Sequence, residues 1–208
     1  MAELSTITVL TTANLKGDLS LLPRLFTLIQ QERRASSGLV LLFDLGDTCA
    51  LEAWICHATQ GRAPFLVLDG MGYDAAVIGG PEQVPIPPSS LGRLAGQMVM
   101  PFAIWNRVLR LAKRGITFHL APGNPPLPEI SPVIRVDRST AALPGVGESS
   151  LMLGDVSPEH LARVDLSWPE WTVQAAKLVP VQPNTPPDPT ILTLVEFVEN
   201  EARGYADL

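Results

Sequence analysis

The chain has 208 residues, 46% of them hydrophobic, which is enough for one domain with its own core. Its 15 Lys and Arg residues against 21 Asp and Glu give a net charge of −6, which argues against a nucleic-acid partner because nonspecific nucleic-acid binding depends on neutralising phosphates. No stretch reaches the roughly 18 uninterrupted apolar residues of a membrane span, and residues 1–5 lack the features of a signal peptide, so the sequence predicts a cytoplasmic protein without membrane contact.

The first half of the chain alternates between strands and helices. Apolar runs at 7–10, 38–43 and 75–78 each end in a polar loop, as buried strands do. Between the first two, residues 20–35 carry apolar side chains at helical spacing, with Ser20 as the predicted N-cap and Pro23 in the first turn. This order predicts a parallel sheet whose loops meet at one edge, where open α/β sheets place their sites.

The second half predicts shorter elements. We expect a short helix near 90–96 and a strand at 98–104, followed by a segment at 105–120 that fits either a helix or a hairpin turning at 113–115. Strands are then predicted at 133–136, 149–153, 161–166 and 172–178, with the character of an antiparallel sheet, and a closing helix begins at Pro189.

The two cysteines, Cys49 and Cys56, fall where a helix is expected after the second strand. On one helix they would lie about 10 Å apart along the axis, too far for a disulfide. We therefore expect them to be small buried apolar residues.

Three segments together resemble a known family. They are residues 11–17 (TTANLKG), 41–48 (LLFDLGDT) and 72–82 (GYDAAVIGGPE). Their order and spacing resemble the 5′-nucleotidase (UDP-sugar hydrolase) branch of the calcineurin-like metallophosphoesterases, and residues 161–166 and 179–189 resemble its late strands and linker. The resemblance implies an α/β sandwich of two packed sheets flanked by helices, here shortened and filling residues 1–208 as a single domain. The family's C-terminal nucleotide-binding domain is expected to be absent.

The metal ligands of the family are mostly missing from these segments. Its first loop reads Asp-x-His, its second Gly-Asp and its third Gly-Asn-His-Glu, with Gly-His and Gly-His-x-His motifs later in the chain. This chain offers Asn14 and Lys16 in the first loop, Asp47 in the second, and Gly80, Pro81 and Glu82 in the third, and it contains no Gly-His pair. The resemblance thus assigns a vestigial pocket in which only Asp47, the bridging carboxylate, occupies a matched ligand position.

Lys16 stands where the family has a metal-binding imidazole, so its ammonium adds positive charge beside any cation. We hypothesise that Lys16 replaces the charge of the metal and pairs with Asp47, since a buried carboxylate without a cation is unfavourable.

These observations favour a phosphoesterase-like domain that has lost catalysis, needs no cofactor and acts as a binding or interaction module. The first alternative is a phosphoesterase acting on nucleotides or other small phosphate esters, in which Asp47 holds Mn, Zn, Mg or Fe with unusual ligands such as Asn14, Asp18, Glu82 or a histidine. The second is a phosphate or nucleotide sensor. The expected partner is another protein or a small phosphorylated ligand, and self-association into a homo-oligomer is compatible with the sequence.

Overall fold

The computed structural model describes residues 5–50, 52–79, 88–127, 132–145 and 151–206. Six strands form sheet A in the order β10-β9-β1-β2-β3-β4, and four strands form sheet B in the order β5-β6-β7-β8. Among the described residues, no helix is both long enough and apolar enough to cross a membrane.

The strands of sheet A are β1 (Thr6–Thr12), β2 (Leu39–Asp44), β3 (Ala75–Ile78), β4 (Phe102–Ile104), β9 (His160–Ser167) and β10 (Val173–Pro180). The first four run parallel, while β9 is antiparallel to β1 and to β10. The strands predicted from apolar runs in the first half are confirmed. The parallel arrangement brings the loops after β1 and β2 to one edge of the sheet, as predicted.

The strands of sheet B are β5 (Leu109–Lys113), β6 (Ile116–Pro122), β7 (Val133–Val136) and β8 (Leu151–Leu153). Residues 105–120 form the hairpin rather than the helix, and it turns at Arg114 and Gly115, both with positive φ. A two-residue turn with two positive φ angles matches the twist of a hairpin.

One prediction for the later strands is wrong. They do not form one antiparallel sheet, because β6, β7 and β8 are parallel within sheet B whereas β9 and β10 join sheet A. The connection between β7 and β8, residues 137–150, is longer than the roughly dozen residues that a crossover between parallel strands requires.

Five helices lie within the described residues, and they are α1 (Leu22–Arg34), α2 (Trp54–Ala58), α3 (Arg62–Gly70), α4 (Pro88–Gln97) and α5 (Pro189–Ala206). Helix α1 is preceded by a 3-10 turn at Leu19–Leu21, and the residue that caps this turn is Asp18 rather than the predicted Ser20. The Asp18 carboxylate accepts hydrogen bonds from the backbone and hydroxyl of Ser20. Helix α1 then begins at Leu22, and Pro23 lies in its first turn, as predicted.

Alternate residues of each central strand face two separate cores. In β2, Leu41 and Phe43 point toward sheet B, whereas Leu42 points toward the helices. The same alternation in β1 places Val9 between the sheets and Leu10 under the helices. The fold is therefore the predicted sandwich of two packed sheets, with helices flanking sheet A.

The prediction for the cysteines is wrong, because Cys49 and Cys56 form a disulfide. Helix α2 begins only at Trp54, so Cys49 lies in the irregular segment before it and the two Cα atoms are 5.7 Å apart. That separation lies within the range that a disulfide requires.

Candidate functional site

Four loops meet at one edge of the sandwich, which we call the site edge. They are the β1 loop (residues 13–18), the β2 loop (residues 45–50), the β7 loop (residues 137–142) and the β8 loop (residues 154–159). The first two leave sheet A and the last two leave sheet B, so the site edge spans both layers of the sandwich.

The β1 and β2 loops are joined by backbone hydrogen bonds that continue beyond the end of the sheet. The amides of Asn14, Lys16 and Gly17 donate to the carbonyls of Gly46, Asp47 and Thr48 at 2.9, 2.8 and 2.8 Å. The position of each loop is therefore fixed by the other, although neither has regular secondary structure.

Three residues other than glycine adopt left-handed backbone conformations in these loops. Asn14, Lys16 and Asp47 have φ angles of 59°, 51° and 54°. Asn and Asp tolerate this region better than most residues, whereas Lys does not, and each such residue carries strain of about 1 kcal/mol. Strain of this kind concentrates at functional sites because the surrounding structure must hold it in place.

The centre of the site edge is Arg138, on the β7 loop. Its guanidinium contacts three side chains from three other loops: Nη1 lies 2.7 Å from Asp47 Oδ2, Nη2 donates to Asn14 Oδ1 at 2.5 Å, and Nε and Nη2 donate to Asp155 Oδ1 at 2.9 and 2.8 Å. Asn14 completes the cluster by donating to Asp155 Oδ1 at 3.0 Å. Arg138 therefore links all four loops.

The contact between Arg138 and Asp47 is the more buried of the two ion pairs in this cluster. The side chains of Arg138 and Asp47 are only 16% and 10% exposed, whereas that of Asp155 is 44% exposed. Burial alone would lower the pKa of Arg138, but its hydrogen bonds to Asp47 and Asp155 outweigh this effect and raise the pKa. The site edge thus holds a permanent positive charge beside a buried carboxylate.

One oxygen of Asp47 is left without a partner. Oδ2 contacts Arg138, but Oδ1 is buried and has no hydrogen-bond partner among the described residues. An unpaired buried oxygen of a carboxylate is unfavourable and calls for an explanation. It is consistent with a site that offers an acceptor to a ligand.

A second buried carboxylate, Asp44, supports the β2 loop from below. It accepts hydrogen bonds from Thr12 Oγ1 at 2.9 Å, Thr48 Oγ1 at 2.6 Å and the Gly46 amide at 3.1 Å, and Tyr73 hydrogen-bonds to the same Thr12 hydroxyl. Complete burial raises the pKa of Asp44 to about 6, although these hydrogen bonds oppose the shift. Asp44 therefore anchors the turn that presents Asp47.

Glycine packing holds the β7 and β8 loops together. A Cβ atom added to Gly154 would lie 1.9 Å from the carbonyl oxygen of Ala141, so only glycine allows this close approach of the two backbones. The approach places Asp155 within reach of Arg138.

The structure corrects the hypothesis that Lys16 pairs with Asp47. The Lys16 side chain is exposed, and only its backbone amide contacts Asp47, through the carbonyl. The cation beside the Asp47 carboxylate is Arg138, because the left-handed turn at Lys16 leaves its side chain facing solvent.

The other predicted site residues and alternative ligands lie in different parts of the molecule. Asn14 and Asp47 lie in the cluster, whereas Gly80, Pro81 and Glu82 lie outside the described residues. The alternative ligand Asp18 is bound to Ser20. The histidines are placed on other elements, with His57 in α2, His119 on β6 and His160 at the start of β9.

The side chains described at this edge do not fit the two-metal centre that the resemblance implies. No group of three or more His, Cys, Asp or Glu residues lies close enough to hold a metal ion in the described part of the chain. The Arg138 guanidinium contacts Asp47 directly, and Asp47 is the residue that the resemblance matches to the family's bridging carboxylate. The oxygens that Arg138 contacts belong to two carboxylates and one side-chain amide.

Sequence reasoning missed Arg138 and Asp155. Both follow short apolar strands that were predicted, β7 and β8, and Asp155 comes directly after Gly154. This pattern of a charged residue after a buried strand also marks Asp47. It could have pointed to both residues if β7 and β8 had been recognised as parallel strands, whose loops meet at one edge.

No protein-family model matches the sequence, and no curated protein matches it significantly. Solved structures do match the fold. One is the structure of the sulfate thiohydrolase SoxB of Thermus thermophilus in complex with glycerol, which aligns with a TM-score of 0.66 and 11% sequence identity. The alignment covers 98% of this chain and 62% of SoxB, so the chain spans less than two thirds of that protein. The calcineurin-like phosphoesterase YfkN of Bacillus subtilis aligns with a TM-score of 0.63 and 12% identity over 99% of this chain and 100% of the YfkN chain.

The order of the strands, the two packed sheets and these alignments agree with the resemblance seen in the sequence. The protein therefore has the fold of the calcineurin-like phosphoesterases.

Proposed function

We propose that this chain is a non-catalytic phosphoesterase-like domain that acts as a binding or interaction module. The observation that supports the proposal is the 2.7 Å contact between Arg138 Nη1 and Asp47 Oδ2. Asp47 occupies the position of the family's bridging carboxylate, and here its charge is balanced by a side chain of the protein.

The chemistry of a guanidinium explains why this exchange removes catalysis. Hydrolysis with two metals needs cations about 3.5 to 4 Å apart that activate a water molecule and polarise the phosphoryl group. A guanidinium supplies positive charge and hydrogen bonds, but it has no open coordination position for water and stays protonated at all working pH values. Arg138 can therefore preserve the architecture of the loops without the reaction.

The surroundings of the loops support a binding role. Trp54 begins α2 beside the β1 loop and is 49% exposed, and Ile104 ends β4 at the same edge of sheet A and is 37% exposed. Apolar side chains next to charged loops form the kind of mixed surface that proteins use to bind partners.

Because the fold resembles that of phosphoesterases, hydrolysis of a phosphate ester is the activity that tests the proposal. We would measure the metal content of the purified protein and its hydrolysis of para-nitrophenyl phosphate with added Mn²⁺, in parallel with the Asp47→Asn variant. We expect metal-free protein and the same background rate for both. Bound metal together with a wild-type rate at least tenfold above that of Asp47→Asn would overturn the proposal in favour of a metal-dependent phosphoesterase.

The melting temperature with and without ligand distinguishes a phosphate or nucleotide sensor from the proposed binding module. A ligand that binds only the folded state raises the melting temperature. We expect no shift with inorganic phosphate or AMP, because Arg138 is already engaged by Asp47, Asn14 and Asp155. A saturable shift that is lost in Arg138→Met would favour the sensor.

A further inference from the structure

The Cys49–Cys56 disulfide closes a short loop immediately behind the site edge. Cys49 follows the β2 loop residues Asp47 and Thr48, Cys56 lies in α2, and the two cysteines are seven positions apart. The chain has two cysteines, and both are in this bond. Any change in its redox state therefore acts next to the residues that present Asp47.

The disulfide also contacts the β1 loop. A Cβ atom on Gly17 would lie 2.9 Å from Cys56 Sγ and 2.7 Å from Ala53 Cβ, so the Gly17 backbone is pressed against the disulfide-closed loop. Gly17 has a φ of 81°, which favours glycine, and its amide donates to the Thr48 carbonyl at 2.8 Å. The sulfur of Cys56 thus supports the β1 loop at the point where that loop is joined to the β2 loop.

The two cysteines differ in exposure. Cys56 is 6% exposed and packs in the core under the helices, whereas Cys49 is half-buried in the segment before α2. A thiolate from solution can therefore reach Cys49 more easily than Cys56, and thiol–disulfide exchange depends on this access.

We propose that the Cys49–Cys56 disulfide is a redox-sensitive clamp on the β1 and β2 loops. A dithiol reductant attacks Cys49 Sγ through one thiolate, the S–S bond breaks, and Cys56 leaves as a thiolate that takes up a proton. The second thiol of the reductant then displaces Cys49 from the mixed disulfide. Two electrons pass from the dithiol, which becomes a disulfide, to the two cysteines of the protein.

Reduction has a defined structural consequence. Without the bond, the segment between Cys49 and α2 is no longer held at both ends, and the surface against which Gly17 packs is free to move. The hydrogen bonds from the amides of Asn14, Lys16 and Gly17 to the β2 loop then open more often. This inference concerns the mobility of the loops and holds whether or not the site is catalytic.

Hydrogen exchange of the wild-type protein, with and without dithiothreitol, tests the clamp directly. We expect the amides of Asn14, Lys16 and Gly17 to exchange at least tenfold faster in the reduced protein, while amides of the β5–β6 hairpin exchange at the same rate in both states. Mass analysis after alkylation with iodoacetamide reports the redox state of each sample.

The double variant Cys49→Ser, Cys56→Ser is the matched control, and its loop amides should exchange rapidly and without response to dithiothreitol. Equal exchange of the loop amides in oxidised and reduced wild-type protein would overturn the proposal, as would alkylation of both cysteines in protein purified without reductant. Both outcomes are read from the wild type, so they do not depend on how well the double variant folds.

Discussion

The two edges of the sandwich each hold an aspartate beside a cation, but in different ways. At the site edge, Asp47 contacts Arg138 through one oxygen, while its other oxygen is buried and has no partner in the described part of the chain. At the opposite edge, Asp74 precedes β3 and Lys113 ends β5. Lys113 Nζ donates to both oxygens of Asp74, at 2.6 and 2.7 Å, and to the Val40 carbonyl, while Asp74 also accepts from the Leu42 amide.

The difference separates an ion pair that substitutes for strand pairing from one that joins loops in left-handed conformations. Pairing between β2 and β3 begins only at Phe43 and Ala75, and the hydrogen bonds of Asp74 and Lys113 to the Leu42 amide and the Val40 carbonyl satisfy backbone groups of β2 before that point. The cluster around Arg138 instead accompanies left-handed residues at Asn14, Lys16 and Asp47. Strain combined with an unsatisfied oxygen is expected where the surface is kept for binding rather than for stability alone.

Removing Arg138 should have the largest effect. Arg138→Met leaves Asp47 buried without its cation, which we expect to destabilise the protein by about 3 kcal/mol, corresponding to a fall in melting temperature of roughly 6 to 12 °C. Urea unfolding and thermal melts of the variant and the wild type measure this loss.

The double variant Asp47→Asn, Arg138→Met is its control, because it removes both charges and keeps at position 47 a residue that tolerates the φ of 54°, so it should recover part of the stability. If Arg138→Met is as stable as the wild type, the ion pair at the site edge does not hold the loops.

The dependence of folding stability on pH should reveal the raised pKa of Asp44. Because burial raises its pKa from 3.8 to about 6, the folded state binds a proton more tightly than the unfolded state. The stabilising contribution of this group is therefore fully present below pH 3.8 and is lost as the pH rises through 6. The whole change amounts to about 3 kcal/mol, of which the part above pH 5 is smaller.

Urea unfolding at pH 5, 6 and 7.5 measures this dependence, and Asp44→Asn, which cannot titrate, isolates it. We expect the difference in stability between wild type and Asp44→Asn to shift in favour of Asn as the pH rises. A difference that stays constant over this range would show that Asp44 does not titrate with a raised pKa.

The smallest loss of stability should come from breaking the Asp74–Lys113 pair at the opposite edge. Lys113 is 36% exposed and Asp74 is 20% exposed, so solvent screens this pair and supports Asp74 when its partner is lost. We expect Lys113→Met to destabilise the protein by about 1 kcal/mol or less, as measured by urea unfolding. A loss equal to that of Arg138→Met would remove the distinction between the two edges.

Much of the fold was predictable from local patterns. The buried strands β1, β2 and β3 appear as apolar runs, and helix α1 as a helical repeat with an early proline, whereas residues 105–120 fit either a helix or the hairpin that the structure has. The resemblance also singled out Asn14 and Asp47, which the structure places in contact with Arg138. Each of these features depends on residues that are neighbours in the sequence.

Each error concerns a contact between separate segments that the local sequence does not show. The expectation for Cys49 failed because a helix was extended five residues before its real start, and that for Lys16 failed because the cation that contacts Asp47 lies on another sheet. Arg138 and Asn14 are 124 positions apart, and nothing in the local sequence of either residue encodes their contact.

The sequence alone determined the class of the fold, its early strands and the residues present in the loops after β1 and β2, because apolar periodicity and motif spacing are local properties. Only the tertiary structure decided which cation contacts Asp47 and what supports the loops around it. Parallel pairing of β7 and β8 brings Arg138 and Asp155 to the ends of β1 and β2, and the late start of α2 brings Cys56 to Cys49. Both results depend on how distant segments pack, since a contact between loops is fixed by the sheets that carry them.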